Sequence, residues 1–235
     1  MIPKIIHYCW FGGNPLPKDV TNYIDSWKKY CPDYEIKEWN ESNFDIHSNG
    51  YVEQAYNAKK WAFVSDYVRL YSIYHFGGIY MDTDVEVRKP LDEFLKYEGF
   101  TGFQSYRSPL TGTMGCCKGN EIIGQVLKDY QNRQFIKEDG KLDLTTNIIP
   151  FKKIVLQHGF ELKDIFQEHE EFAIYPSEYF CAYDFDKQKH IITPNTYTIH
   201  HFAGSWIPRR QRIRRKIKMI VKKSPFGHIA SLFKS

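Results

Sequence analysis

Two aspartates separated by a single threonine, Asp82-Thr83-Asp84, follow the apolar run Ile79-Tyr80-Met81 and precede Val85-Glu86-Val87. Val, Ile and Tyr favour extended backbone, and Gly77-Gly78 stops whatever helix comes before. In a strand, residues i and i+2 face the same side, about 6.5–7 Å apart along the chain. The pattern predicts two carboxylates presented together at the end of an apolar strand. Such a pair is costly to bury without a cation, a donor network or a shared proton. Hard oxygen ligands of this kind suit Mn²⁺ or Mg²⁺, with water and phosphate oxygens as the remaining ligands. The plain alternative is a solvated turn after an edge strand, so the neighbouring elements must decide.

Residues 59–75 form the longest helical stretch, apolar on nearly every side and therefore expected to be buried. Asp66 and Arg69 lie three apart on one face of it. They are either a structural ion pair or a polar stripe facing the same cleft as Asp82 and Asp84. Residues 3–11 read as an opening strand ended by Gly12-Gly13, a common place for a nucleotide in an α/β chain. Neither phosphate-loop fingerprint is present there. Trp10 at its end is either a half-buried core residue or something a base could meet. Near the other end stands His200-His201-Phe202-Ala203-Gly204-Ser205-Trp206. Adjacent histidines in a strand point to opposite faces, so at most one reaches a shared site, and a lone His is more often structural than a ligand.

Helices are further expected at 20–30, 53–58, 121–131 and 144–158, the last interrupted at Pro150. Strands are expected at 34–39, 99–106, 113–117 and 172–176, with Ser108-Pro-Leu-Thr-Gly112 as a loop, and a hairpin of 191–193 with 197–201. A chain of 235 residues can bury one sizeable α/β core. Aromatics reach 17%, enough to supply surfaces that stack on sugars or bases. The five cysteines have no C-x-x-C spacing and read as reduced thiols, not as a disulfide framework or zinc site. The N-terminus lacks the pattern of a signal peptide, and no apolar stretch approaches a membrane span, so the expected location is cytoplasmic. Between Arg209 and Lys223 nine basic residues alternate with Ile213, Ile217, Met219, Ile220 and Val221. This basic, amphipathic tail is expected on an anionic membrane surface through residues 209–233, since an apolar face has no use on a phosphate backbone. No nucleic-acid partner is expected, because the body has balanced charge and no recognition module.

With these pieces in order, residues 2–206 resemble the family 32 glycosyltransferases that carry the DXD sugar-binding motif. The resemblance rests on Ile2–Gly13, on Ala62–Tyr71 with Gly77–Asp84, and on His200–Trp206, in the family's order. It implies an α/β fold of GT-A type, one Rossmann-like nucleotide-binding mixed sheet flanked by helices, over residues 1–208, with 209–235 as the tail. Trp10 matches the position that stacks on the nucleotide base, with Phe11 and Gly12 adding backbone contacts. Asp66 and Arg69 match the pair that contacts donor sugar and phosphate, and Asp82 and Asp84 match the DXD. His201 falls where the family places a C-terminal metal ligand, and Ser205 and Trp206 resemble residues that close over the diphosphate. Asn147, in Thr145–Pro150, stands nearest to the family's acceptor-side segment and could reach donor or acceptor.

The implied activity is Mn²⁺- or Mg²⁺-dependent retaining transfer from a nucleotide-sugar to a glycan or lipid-linked glycan of the cell surface. UDP is the expected nucleotide, since Trp10 resembles a uracil platform, although users of GDP-mannose occur in the same family. A divalent ion would stabilise the leaving diphosphate, and Arg69 has the planar donor geometry for phosphate oxygens. The implied mechanism is front-face, with the leaving phosphate assisting the incoming hydroxyl. Two other classes fit parts of the chain. One is a haloacid-dehalogenase-like phosphohydrolase with Asp82 as nucleophile and Asp84 as acid/base, for which the motif sits too far into the chain. The other is a non-catalytic nucleic-acid binder using the tail.

Overall fold

The structure, a computed structural model, describes residues 1–204. One compact unit covers Met1–His201, and a second begins at Phe202. The expected boundary at 208/209, the basic tail, Ser205 and Trp206 lie outside the described residues.

The chain opens with β1 (Ile5–Cys9), α1 (Lys18–Tyr30) and β2 (Glu35–Trp39). Then come α2 (Gly50–Asn57), α3 (Trp61–Phe76), β3 (Gly78–Met81) and β4 (Val85–Val87). The second half holds β5 (Gly99–Ser105), β6 (Ser108–Cys116), α4 (Glu121–Asp129) and α5 (Ile148–Gln157). Last are β7 (Gln167–His169), β8 (Phe172–Tyr175), α6 (Ser177–Phe180), β9 (Tyr183–Asp184), β10 (Lys189–His190) and β11 (Thr198–His200).

Seven strands form one mixed sheet in the order β2-β1-β3-β6-β5-β8-β7. β1 runs parallel to both β2 and β3, whereas β6 is antiparallel to β3 and β5. The order doubles back at β1, so the carboxyl ends of β1 and β3 border a crevice where open α/β sheets place ligands. The aromatic excess goes largely into the core, with Trp27, Tyr51, Tyr80, Tyr130 and Phe100 fully buried.

Between α3 and β3 the chain turns through Gly77 and Gly78, with φ of 68° and 103°. A Cβ on Gly78 would stand 2.6 Å from the Ile5 carbonyl, so a glycine is what lets β3 lie against β1. α3 is buried as expected, and its inward face includes Asp66, Arg69 and Ser72 among apolar residues.

Four expectations about local structure need correction. The strand does not run on through the two aspartates. Val85 donates to the Asp82 carbonyl (3.0 Å), and this tight turn carries the chain out of the main sheet into β4. There β4 pairs with β11 as a separate antiparallel ribbon, Val85 opposite His200. The hairpin of 191–193 with 197–201 therefore does not form, because β4 takes the edge of β11 and β9 takes that of β10. Ser108–Gly112 is no loop but the start of β6, the turn falling at Tyr106-Arg107 with Arg107 at φ 66°. Pro150 does not interrupt α5. It lies in the first turn, where helical N–H groups have no intrahelical partner to lose.

Candidate donor and metal site

Arg69 reaches from α3 to the end of β3 and is almost fully buried. Its Nη2 lies 3.2 Å from Asp66 Oδ1 and 3.0 Å from Asp82 Oδ1. Nη1 donates to the Thr111 carbonyl (2.7 Å), and the guanidinium lies 4.7 Å from the centre of the Tyr80 ring. The Tyr80 hydroxyl in turn donates to Asp82 Oδ1 (3.0 Å). A planar fork with several donors can hold two carboxylates and a carbonyl at once, which an ammonium could not do in the same geometry. Asp66 also accepts from the Asn147 backbone N–H (3.2 Å), and Asn147 Nδ2 donates to the Asp66 carbonyl (3.3 Å). Burial pushes the Asp66 carboxyl up to about 6 against the pull of Arg69. Asn147 Oδ1 is buried with no hydrogen-bond partner among the described residues.

On the other side of Asp82, the turn brings Asp84 and the ribbon brings His200. His200 Nε2 lies 3.1 Å from Asp84 Oδ1 and 3.9 Å from Asp82 Oδ2. One donor atom from each of Asp82, Asp84 and His200 can be chosen so that all lie within 4.8 Å of one another. Burial works against the protonated His200 ring, but the Asp84 carboxylate outweighs it and the basicity rises. Gly112 forms the wall of this cradle. A Cβ there would come within 2.8 Å of Asp82 Oδ2 and 2.9 Å of His200 Cε1. Two carboxylates and one imidazole form an oxygen-rich donor set that fits Mn²⁺ or Mg²⁺. Arg69 is shared between Asp66 and Asp82, and Asp82 is the carboxylate common to the Arg69 pair and the Asp82–Asp84–His200 group.

The structure places Asp66, Arg69, Asp82, Asp84 and Asn147 close together, and it is His200, not His201, that lies beside the aspartates. The reason is strand parity. His200 is buried toward the cradle, whereas His201 Nε2 turns to Glu86 Oε2 (2.9 Å) and its ring stacks on Tyr23 at 4.6 Å. Only the His201 backbone serves the turn, donating to the Asp84 carbonyl (2.9 Å).

β1 ends beside the same cluster. Its register, Ile6 with Ile79 and His7 with Tyr80, brings Cys9 level with Asp82 two residues on. Burial drives the Cys9 thiol up to about 12, so it stays protonated beside Arg69. Trp10 follows, half-buried, its Nε1 donating to the Asn14 carbonyl (2.6 Å). Phe11 is buried with its ring edge-on to Phe44 (6.3 Å), so only its backbone remains for a ligand. Gly12 has φ 97°, and its N–H is held by Glu41 Oε1 (2.6 Å). A Cβ there would meet the Trp61 ring at 2.8 Å. Tyr80, Thr111, Gly112 and Trp61 are residues around the site that the sequence reading did not single out, and of the two adjacent histidines it favoured His201.

The sheet, the crevice and the cluster at the ends of β1 and β3 define a GT-A-type fold. A solved structure described as PaToxG Glycosyltransferase shares it, with a TM-score of 0.51 at 20% identity over 66% of this chain and 68% of that one. Residues 17–101 match the family model of the glycosyltransferase sugar-binding region containing DXD motif. Inositol phosphoceramide mannosyltransferase 3 of Schizosaccharomyces pombe is 29% identical over 57% of this chain and 38% of that protein. The uncharacterized glycosyltransferase L373 of Acanthamoeba polyphaga mimivirus is 27% identical over 57% of each chain. The matched stretch spans less than two thirds of either relative.

Proposed function

We propose that this protein transfers a sugar from a nucleotide-sugar, with UDP as the nucleotide, to a glycan or lipid-linked acceptor, in a reaction that needs Mn²⁺ or Mg²⁺. The observation that carries the reading is the convergence of Asp82, Asp84 and His200 directly beside the buried Arg69. In this reading those three residues hold the ion, which supplies Lewis-acid stabilisation of the diphosphate. Arg69, fixed by Asp66, Asp82 and the Thr111 carbonyl, keeps a positive charge oriented where donor phosphate would lie. Trp10 and Gly12 border the nucleotide at the end of β1, and Asn147 is the acceptor-side residue of this reading, held against Asp66. The bond from the anomeric carbon to diphosphate breaks, a bond to the acceptor oxygen forms, and the acceptor proton leaves with the phosphate. Arg69 engages both Asp66 and Asp82, which disfavours either as a covalent nucleophile. The same engagement of Asp82 speaks against the phosphohydrolase alternative.

The named activity of the yeast relatives favours a lipid acceptor within the broader role in cell-surface glycan synthesis. No helix among the described residues is long and apolar enough to cross a membrane. We place the protein on the cytoplasmic face of a membrane, with residues 209–233 as one contact.

The test is a thermal-shift panel of UDP, GDP, CDP and their sugar conjugates, each with Mn²⁺, Mg²⁺ or EDTA. Ligand at 100 times its Kd adds about 2.7 kcal/mol, which for a chain of this size raises Tm by roughly 5–11 °C. The expected result is a shift with UDP that requires metal and disappears in Asp84→Asn. A shift unchanged by EDTA or by that substitution would sink the metal assignment.

A further inference from the structure

The feature that the donor site does not use is the outer face of α5. Its inner side, Pro150, Phe151 and Val155, packs into the core. Ile149, Lys152, Lys153 and Leu156, at positions i, i+3, i+4 and i+7, share the opposite side. Ile149 is 58% exposed and Leu156 47%, and Leu144, just ahead of the helix, is 62% exposed. A single exposed leucine is ordinary on a soluble surface. Here three aliphatic side chains accompany two lysines, and the helix, Ile-Ile-Pro-Phe-Lys-Lys-Ile-Val-Leu-Gln, contains no acid.

Beside this face, a groove between α4 and α5 is lined by Gln125, Lys128, Asp129, Pro150, Lys153 and Ile154. Its one acid, Asp129, is engaged by Arg133 (3.5 Å). That leaves the two ammonium groups of Lys128 and Lys153 above a floor of Pro150 and Ile154. Cations over apolar surface suit a phosphate headgroup whose chains lie beneath it.

We propose that the outer face of α5, with the α4–α5 groove, rests on an anionic lipid membrane. The inference deepens the functional reading above and rests on it for its purpose, since a surface there would orient the site toward a lipid-borne acceptor. The coupling is structural. Asn147 stands at the N-cap position of α5 and is bonded to Asp66 by its backbone N–H and by its side chain, which ties the start of α5 to the Asp66–Arg69 pair. A protein partner is the less fitting occupant. Stable protein interfaces need about 20–30 residues a side, whereas a bilayer accepts a few aliphatic side chains flanked by lysines.

The experiment is flotation of the full chain with vesicles of phosphatidylcholine alone and of phosphatidylcholine with phosphatidylserine. The variants are Ile149→Ser with Leu156→Ser, and Lys128→Gln with Lys153→Gln. All four positions are on the surface, and unchanged Tm verifies the fold. The wild type is expected to favour the anionic vesicles. The apolar pair should weaken binding to them by about tenfold or more, and the lysine pair should lower the preference for anionic lipid, leaving the share that residues 209–233 supply. Variants that partition like the wild type would overturn the proposal and assign any membrane contact to residues 209–233. A wild type that binds neither vesicle would overturn it as well and leave the face to a protein partner. The metal-dependent UDP shift, measured on the same samples, reports on the donor site separately, so either reading can fail alone.

Discussion

Two buried polar clusters draw on neighbouring strands of the same sheet, yet they solve burial in opposite ways. His7, on β1, accepts from Trp39 Nε1 (3.1 Å) through Nδ1 and donates to the Gly77 carbonyl (2.8 Å) through Nε2. Every ring nitrogen has a partner, the group is neutral, and burial lowers its pKa to about 4. At the other end of β1 and β3, Arg69 is charged and so are its partners Asp66 and Asp82, and Asp84 lies beside His200. The first network is closed: it binds helix α3, β1 and β2 together and has nothing left to offer. The second is ionic: Arg69 is held between Asp66 and Asp82, and Asp82 stands beside Asp84 and His200. The first network is a fastener of neutral, matched groups, whereas the second is built from ionised ones.

Breaking the ionic network should have the largest effect. Arg69→Met leaves Asp66 and Asp82 without their countercharge, at a cost of about 3–5 kcal/mol in urea denaturation. Adding Asp66→Asn should recover part of that loss. A cost below about 1 kcal/mol would mean that the cluster behaves as a solvated surface pair, and the contrast with His7 would vanish.

The closed network predicts a pH effect of definite sign. The folded pKa of His7 lies below the ordinary value of 6.5, so the unfolded chain binds the proton more readily. Its stability contribution is full above pH 6.5 and is lost as pH falls toward about 4, by about 3 kcal/mol in all. His7→Gln should flatten the fall in Tm across that window. An equally steep fall in the variant would assign the acid sensitivity to other groups.

The finest distinction is between adjacent histidines. His200→Ala should weaken Mn²⁺-supported UDP binding by at least about tenfold, or ~1.4 kcal/mol. His201→Ala, which removes a side chain bound to Glu86 and Tyr23, should weaken it less. Titration calorimetry with UDP at fixed Mn²⁺ separates them, and the reverse order would restore His201 as the ligand.

That same pair shows where sequence alone stops. Asp82 and Asp84 were legible because charged residues closing an apolar run have few uses, and the burial of α3 was legible from its composition. Strand parity at His200 was not, because it depends on β4, a partner far away in the chain. The hairpin expected at 191–201 failed for the same reason: a local turn around Pro194 offered one edge and a distant strand took it. Gly112 lies in Ser-Pro-Leu-Thr-Gly, a composition that reads as a turn. Only the placement of Asp82 and His200 against it shows why no side chain fits there. The pairing of Arg69 with Thr111 was likewise invisible, since backbone carbonyls leave no mark in a sequence.

The ribbon of β4 and β11 also has a bearing on synthesis. Glu86 and His201 meet across 115 residues of chain, while β1, β3 and the DXD turn all lie in the first half. A nascent polypeptide can assemble the sheet around β1 and β3 early, yet it lacks the imidazole wall of the cation cradle until β11 has been made and has docked. The growing chain therefore passes through a long interval with Asp82 and Asp84 in place but without His200 beside them, and the candidate site is completed only by β11, the last strand among the described residues.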